Sequence, residues 1–133
     1  MSRSIRGTVL VVDDDPIFSF ELGGSLRGAG YSVVSAAKAN EAAALLAQQN
    51  IDVAIVDLNL PDKSGLQLIH ENKHSAKPVR ILATTGSLSD LHLEIATYMG
   101  ADLALRKGPD SSGAEVSDDE WITAVNTLIA VVN

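Results

Sequence analysis

The chain has 133 residues, 46% of them apolar, a length and composition that suit one packed domain with an ordinary core. A formal net charge of -7 with no run among its ten basic residues argues against a nucleic-acid surface, and the absence of cysteine leaves no disulfide framework. The longest apolar run, AAALLA at 42–47, is too short to span a bilayer, and the TVLVV that follows Arg3 and Arg6 is too brief for a signal peptide, so a cytoplasmic protein without membrane insertion is expected.

Short β-rich runs begin near Thr8 (TVLVV), Tyr31 (YSVVS), Asp52 (DVAIV), Val79 (VRILATT) and Asp102 (DLALRK), at spacings of 21 to 27 residues. After the first run, Asp15 and Pro16 form an N-cap and first-turn pair, and Ile17, Phe18, Leu22 and Leu26 supply an apolar stripe that Gly23 and Gly24 weaken without breaking. After the second, NEAAALLAQQN is rich in strong helix formers, with Asn50 as a left-handed stop. The final helix opens on SDDE at 117–120, a capping box, and carries Trp121, Ile122, Val125, Leu128, Ile129 and Val132 on one face. The loose stretch is GPDSSGAEVS, 108–117.

Each interval between runs has room for one helix, and parallel neighbours need such a crossover. The expectation is therefore an α/β fold: one doubly wound, flavodoxin-like sheet of five parallel strands, layered between five helices. It should form a single domain over 1–133, with a core of about 8–133 and no output domain in this chain.

Reactive groups in open α/β sheets gather past the carboxyl ends of the strands. The first run ends in Asp13, Asp14 and Asp15, the third in Asp57, the fourth in Thr84 and Thr85, and the fifth in Arg106 and Lys107; the second ends without an ionisable group. Strand order 2-1-3-4-5 makes that second strand an edge and keeps the marked strands contiguous. Three carboxylates on adjacent strands repel one another, so a positive partner is needed: Lys107 supplies one charge, and Mg²⁺ (or Mn²⁺) suits an oxygen-rich set. Asp15 is read as a helix cap, leaving Asp13 and Asp14 for the metal. An ionised Asp57 beside that cation can attack a phosphoryl group without a general base, giving an acyl phosphate. Charge on the phosphoryl oxygens would be met by the cation, by Lys107 and by a hydroxyl, for which Thr85 is the choice; Gly86 leaves space and offers its backbone N–H.

With VLVVDDDP (9–16), DLNLPDKSG (57–65), TTG (84–86) and GADLALRK (100–107) in this order, the chain resembles the response-regulator receiver domains of two-component signalling from about Thr8 onward. The resemblance implies that Asp13 and Asp14 are the family's acidic pair, Asp57 its phosphorylated aspartate, Asn59 the residue whose backbone carbonyl ligates the metal, Thr85 its switch hydroxyl and Lys107 its lysine. It also favours Thr85 over Thr84, since Thr85 precedes Lys107 by 22 residues and Gly86 follows it. The implied function is a phospho-accepting switch, charged by a sensor histidine kinase or a histidine phosphotransfer protein, acting on a downstream protein target, as a monomer or weak dimer. Such a module catalyses only its own phosphorylation and slow dephosphorylation.

The chain departs from the family in three places. Gly108 stands between Lys107 and Pro109 where the proline usually follows directly, Ala104 replaces an aromatic that changes rotamer on activation, and the loop 108–117 is long. Two competing functions remain: a pseudo-receiver adaptor that is never phosphorylated, and an aspartate-nucleophile phosphatase of the haloacid-dehalogenase type, which commonly needs an acid where Asn59 stands. His70, His74 and His92 are read as surface histidines, Trp121, Phe18 and Phe20 as core or partly buried packing, and Tyr98 and Met99 as closing the fourth helix.

Overall fold

The computed structural model describes residues 5–86, 90–107 and 116–132. Five strands, β1 (Thr8–Val12), β2 (Ser32–Ala36), β3 (Val53–Asp57), β4 (Arg80–Thr85) and β5 (Leu103–Arg106), alternate with five helices, α1 (Pro16–Gly28), α2 (Ala39–Gln48), α3 (Gly65–Lys73), α4 (Asp90–Met99) and α5 (Asp118–Val132). All pairings are parallel and the order is β2-β1-β3-β4-β5, as expected. No helix among the described residues is long and apolar enough to cross a membrane.

The continuous apolar runs become strands covered on both faces, and all of β3 is buried. Alternation along each strand divides the core into two layers. Leu10, Val12, Ala54, Val56, Ile81 and Ala83 face α2, α3 and α4, whose Ala42, Leu68 and Ala96 close over them. Val9, Val11, Val53, Ile55 and Leu82 face α1 and α5, where Leu22, Leu26, Trp121, Val125 and Leu128 complete the second layer. The stripe on α5 packs as expected at Trp121, Val125 and Leu128, each at most 4% exposed.

Helix ends follow local chemistry in most cases. The Asp15 carboxylate accepts the N–H groups of Ile17 and Phe18, and Ser117 Oγ accepts that of Glu120. The end of α2 differs from the reading of Asn50 as a left-handed stop. No described residue other than glycine has positive φ, and α2 closes at Gln49 in extended backbone, its N–H donating to the Leu45 carbonyl. Its start is capped from a distance: the Asp62 carboxylate accepts the N–H groups of Ala39 and Asn40 at 2.8 and 2.9 Å. Desolvation works to raise the Asp62 carboxyl, but those N–H groups, with those of Asp62 and Lys63, outweigh it and hold the group below its ordinary value.

Phe20 also departs from expectation. It is 80% exposed, because it follows Phe18 by two residues on α1 and helical geometry turns it away from the stripe that buries Leu22 and Leu26. The three histidines are exposed as expected, His70 and His74 stacking edge-on. Tyr98 is exposed and Met99 half-buried at the end of α4.

Candidate functional site

The register of the sheet brings the predicted acids together. Because β1 and β3 pair as Val12↔Val56, the residues that follow, Asp13 and Asp57, emerge side by side on the face that packs against α1 and α5. Both are buried, at 4% and 5% exposure, while Asp14 stays exposed at the rim. One carboxylate oxygen from each of Asp13, Asp14 and Asp57 lies within 4.8 Å of the others.

Lys107 follows the last residue of β5 and reaches across this end of the sheet. Its Nζ donates to Asp13 Oδ1 at 2.9 Å, lies 2.8 Å from Asp13 Oδ2 and stands 3.6 Å from Asp57 Oδ2. The Phe18 ring sits 4.7 Å from the ammonium and packs edge-on against Trp121. The sequence marks Phe18 as part of the core stripe but not as the floor of the lysine, since that contact depends on Lys107 reaching from the end of β5 to Asp13 beside α1.

Burial raises the Asp57 carboxyl; the Asn59 N–H lowers it, Asp13 raises it, Lys107 lowers it and Asp14 raises it, with a net displacement upward. The ordinary value assumed from sequence is therefore shifted by the core around the group. A cation held beside it favours the ionised form. Lys107 is lowered by burial but raised more by its hydrogen bond to Asp13 and the charges of Asp13, Asp57 and Asp15, so its ammonium is held above the usual range.

The donor set fits a hard divalent ion, with carboxylate oxygens converging from two strand ends. Asp13 Oδ2 is buried and receives no aligned hydrogen bond, because Lys107 directs its aligned N–H to Oδ1. Such an oxygen has capacity for a metal.

The loop after β3 is shaped around Asp57. The Asn59 N–H donates to Asp57 Oδ1 at 3.1 Å, and the Leu58 N–H donates to the Thr84 carbonyl at 2.9 Å. A Cβ on Gly65 would lie 2.2 Å from the Asp57 carbonyl oxygen, so only glycine allows α3 to start this close to β3. Asn59 stands exposed at the rim, and Gly86 is exposed with open space around it.

The two threonines of β4 diverge. Thr84 is the Cα partner of Asp57 and shares its face with Leu82; Thr85 pairs with Arg106 and shares the opposite face with Ala83 and Ala104. Both are buried, and the Lys107 N–H donates to the Thr85 carbonyl at 2.9 Å. The readings of Gly108, Pro109 and most of the 108–117 loop fall outside the described residues.

A family model described as the response regulator receiver domain matches residues 9–113. The chain is 32% identical to the transcriptional regulatory protein GlrR of Escherichia coli over 90% of its own length and 30% of GlrR. It is 36% identical to the DNA-binding transcriptional regulator NtrC of Salmonella typhimurium over 70% of its length and 20% of NtrC. It thus spans about a third or less of these relatives. The fold superposes on the Francisella response regulator 1452 receiver domain with a TM-score of 0.83 at 23% identity, covering 96% of this chain and 99% of that one. With the strand order, the acids at the ends of β1 and β3 and the matched span in agreement, the chain belongs to the response regulator receiver-domain family.

Proposed function

We propose that this chain is a phospho-accepting signalling switch in which Asp57 takes a phosphoryl group from a partner's phosphohistidine. The observation that carries the reading is the convergence of Asp13, Asp14 and Asp57 within 4.8 Å, with the Lys107 ammonium 3.6 Å from the Asp57 carboxylate. Asp13, Asp14, Asp57 and the Asn59 backbone carbonyl would hold Mg²⁺ or Mn²⁺. When bound, that ion would neutralise charge between the carboxylates and the phosphoryl oxygens.

Asp57 acts as the nucleophile. One of its oxygens forms the O–P bond while the P–N bond to the donor imidazole breaks, the electron pair leaving on the imidazole nitrogen, which takes up a proton. The Asn59 N–H holds Asp57 Oδ1, which leaves Oδ2, 3.6 Å from the Lys107 ammonium, for the attack. Lys107, the Thr85 hydroxyl and the Gly86 N–H bind the phosphoryl oxygens. Attack of water on phosphorus later returns the carboxylate, so the chain changes state without being a turnover enzyme.

The donor partner is a sensor histidine kinase or a histidine phosphotransfer protein, and the recipient of the signal is a downstream protein. The net charge of -7 favours protein partners over direct contact with nucleic acid. The working form is a cytoplasmic monomer or weak dimer, not inserted in a membrane, with one receiver unit over 1–133. Readout differs from the aromatic switch of relatives, because Ala104 has no ring to turn inward.

A small phosphodonor tests the reading by intact mass. One phosphoryl group should be added with Mg²⁺ and none with chelator or in Asp57→Asn. No adduct under any condition would support the adaptor reading; continuous phosphate release from varied phosphate esters would support the phosphatase.

A further inference from the structure

Two buried side-chain atoms among the described residues have no hydrogen-bond partner, Asp13 Oδ2 and Thr84 Oγ1. They flank Asp57 on either side, at the ends of β1 and β4, on the same face of the sheet. An unpaired buried hydroxyl costs about 1–3 kcal/mol, and Thr84 is 0% exposed. Asp13 Oδ2 is ion-paired with the Lys107 ammonium at 2.8 Å, whereas the Thr84 hydroxyl is left with capacity for a hydrogen bond beside Asp57.

Lys107 connects them. From the end of β5 its side chain reaches past β4 and β3 to Asp13 at the end of β1, at the end of the sheet where Thr84 pairs with Asp57. There its ammonium engages both Asp13 oxygens, the same oxygens that a divalent cation in the carboxylate cluster must use. Cation and ammonium compete for Asp13. When the ammonium gives way, it stays beside Asp57 Oδ2, 3.6 Å away, and the Thr84 hydroxyl, on the strand between β5 and Asp57, is an acceptor without a partner.

We propose that Thr84 is a positioning residue: its hydroxyl oxygen accepts a hydrogen bond from Lys107 once a divalent cation displaces the ammonium from Asp13, and so holds the lysine beside Asp57. In that state the Asp13 carboxylate would be free to hold the cation, and the Thr84 hydroxyl would gain the partner it lacks. This role is separate from that of Thr85, which lies on the opposite face. It rests on the reading of the carboxylate cluster as a divalent-cation site.

Thr84→Val keeps the shape and removes the hydroxyl, and Thr84→Ser restores it. Binding of Mn²⁺, counted from the EPR signal of the free ion, should be about three- to tenfold weaker in Thr84→Val and within about twofold of the parent in Thr84→Ser. Urea unfolding in chelator should show Thr84→Val at least as stable as the parent, because the unpaired hydroxyl is gone. Equal Mn²⁺ affinity in Thr84→Val and the parent would overturn the proposal, as would a Thr84→Val defect already present in chelator. Failure of the parent itself to bind Mn²⁺ would overturn the underlying cation-site reading instead.

Discussion

Lys107 and Asp13, 94 positions apart in the chain, meet with Nζ 2.8 Å from Oδ2, and this pair sets the charge balance of the whole site. Asp13 is almost fully buried, whereas Lys107 retains some solvent contact through its side chain. The pair offsets part of the repulsion among three converging acids, and it occupies the oxygens a cation would use.

Lys107→Ala should therefore act in opposite directions on two properties. In chelator the uncompensated acids should lower stability by about 1–3 kcal/mol, read by urea unfolding. Divalent-cation affinity should rise, because nothing competes for Asp13, and the added cation should recover most of the lost stability. Weaker cation binding in the variant would show that the lysine assists the metal instead of competing with it. Phosphorylation by a small donor should slow even with the cation saturating.

Asp57 carries a pH signature. Burial raises its folded carboxyl above the ordinary value of 3.8, with the Asn59 N–H and Lys107 opposing and Asp13 and Asp14 reinforcing. A raised acid contributes stability that is fully present below 3.8 and lost as pH climbs through the folded value. In chelator, Asp57→Asn should gain on the order of 1 kcal/mol over the parent near neutral pH, and the gain should shrink as acid protonates Asp57 in the parent. Unfolding curves for both proteins from pH 3 to pH 8 would check it, with a pH-independent difference as the contrary result.

Asp62 behaves with the opposite sign. Desolvation raises its carboxyl, yet the N–H groups of Asn40, Ala39, Asp62 and Lys63 bring it below 3.8 overall. Its contribution is present above 3.8 and disappears as pH falls through the lower folded value. Asp62→Ala should speed amide exchange at Ala39 and Asn40 without slowing phosphorylation at saturating cation. Unchanged exchange at both amides would mean that α2 holds its first turn without this cap.

Gly65→Ala tests the close approach of α3 to β3. A Cβ placed 2.2 Å from the Asp57 carbonyl oxygen forces the loop apart, for an expected loss of at least about 2 kcal/mol. Because the same peptide carries Asp57, the phosphorylation rate should fall as well. A variant with parental stability and rate would show that the loop relaxes freely.

Much of this molecule could be read along the chain. Apolar runs at intervals of 21 to 27 residues give parallel strands with helical crossovers, and a carboxylate or lysine closing four of those runs places the chemistry at one end of the sheet. These features follow from local pattern, because burial on both faces and the need for a crossover act within tens of residues. Contacts that depend on the relative position of distant segments were not legible. Nothing near Ala39 indicates that Asp62 caps α2, and nothing in the first helix marks Phe18 as the floor beneath Lys107. The pairing Asp57↔Thr84 likewise needs the register of β3 against β4, and a shift of one residue would exchange the faces of the two threonines. Sequence thus determined which groups reach the end of the sheet; tertiary packing decided which of them touch, since register and helix orientation are set by the fit of side chains across the whole core.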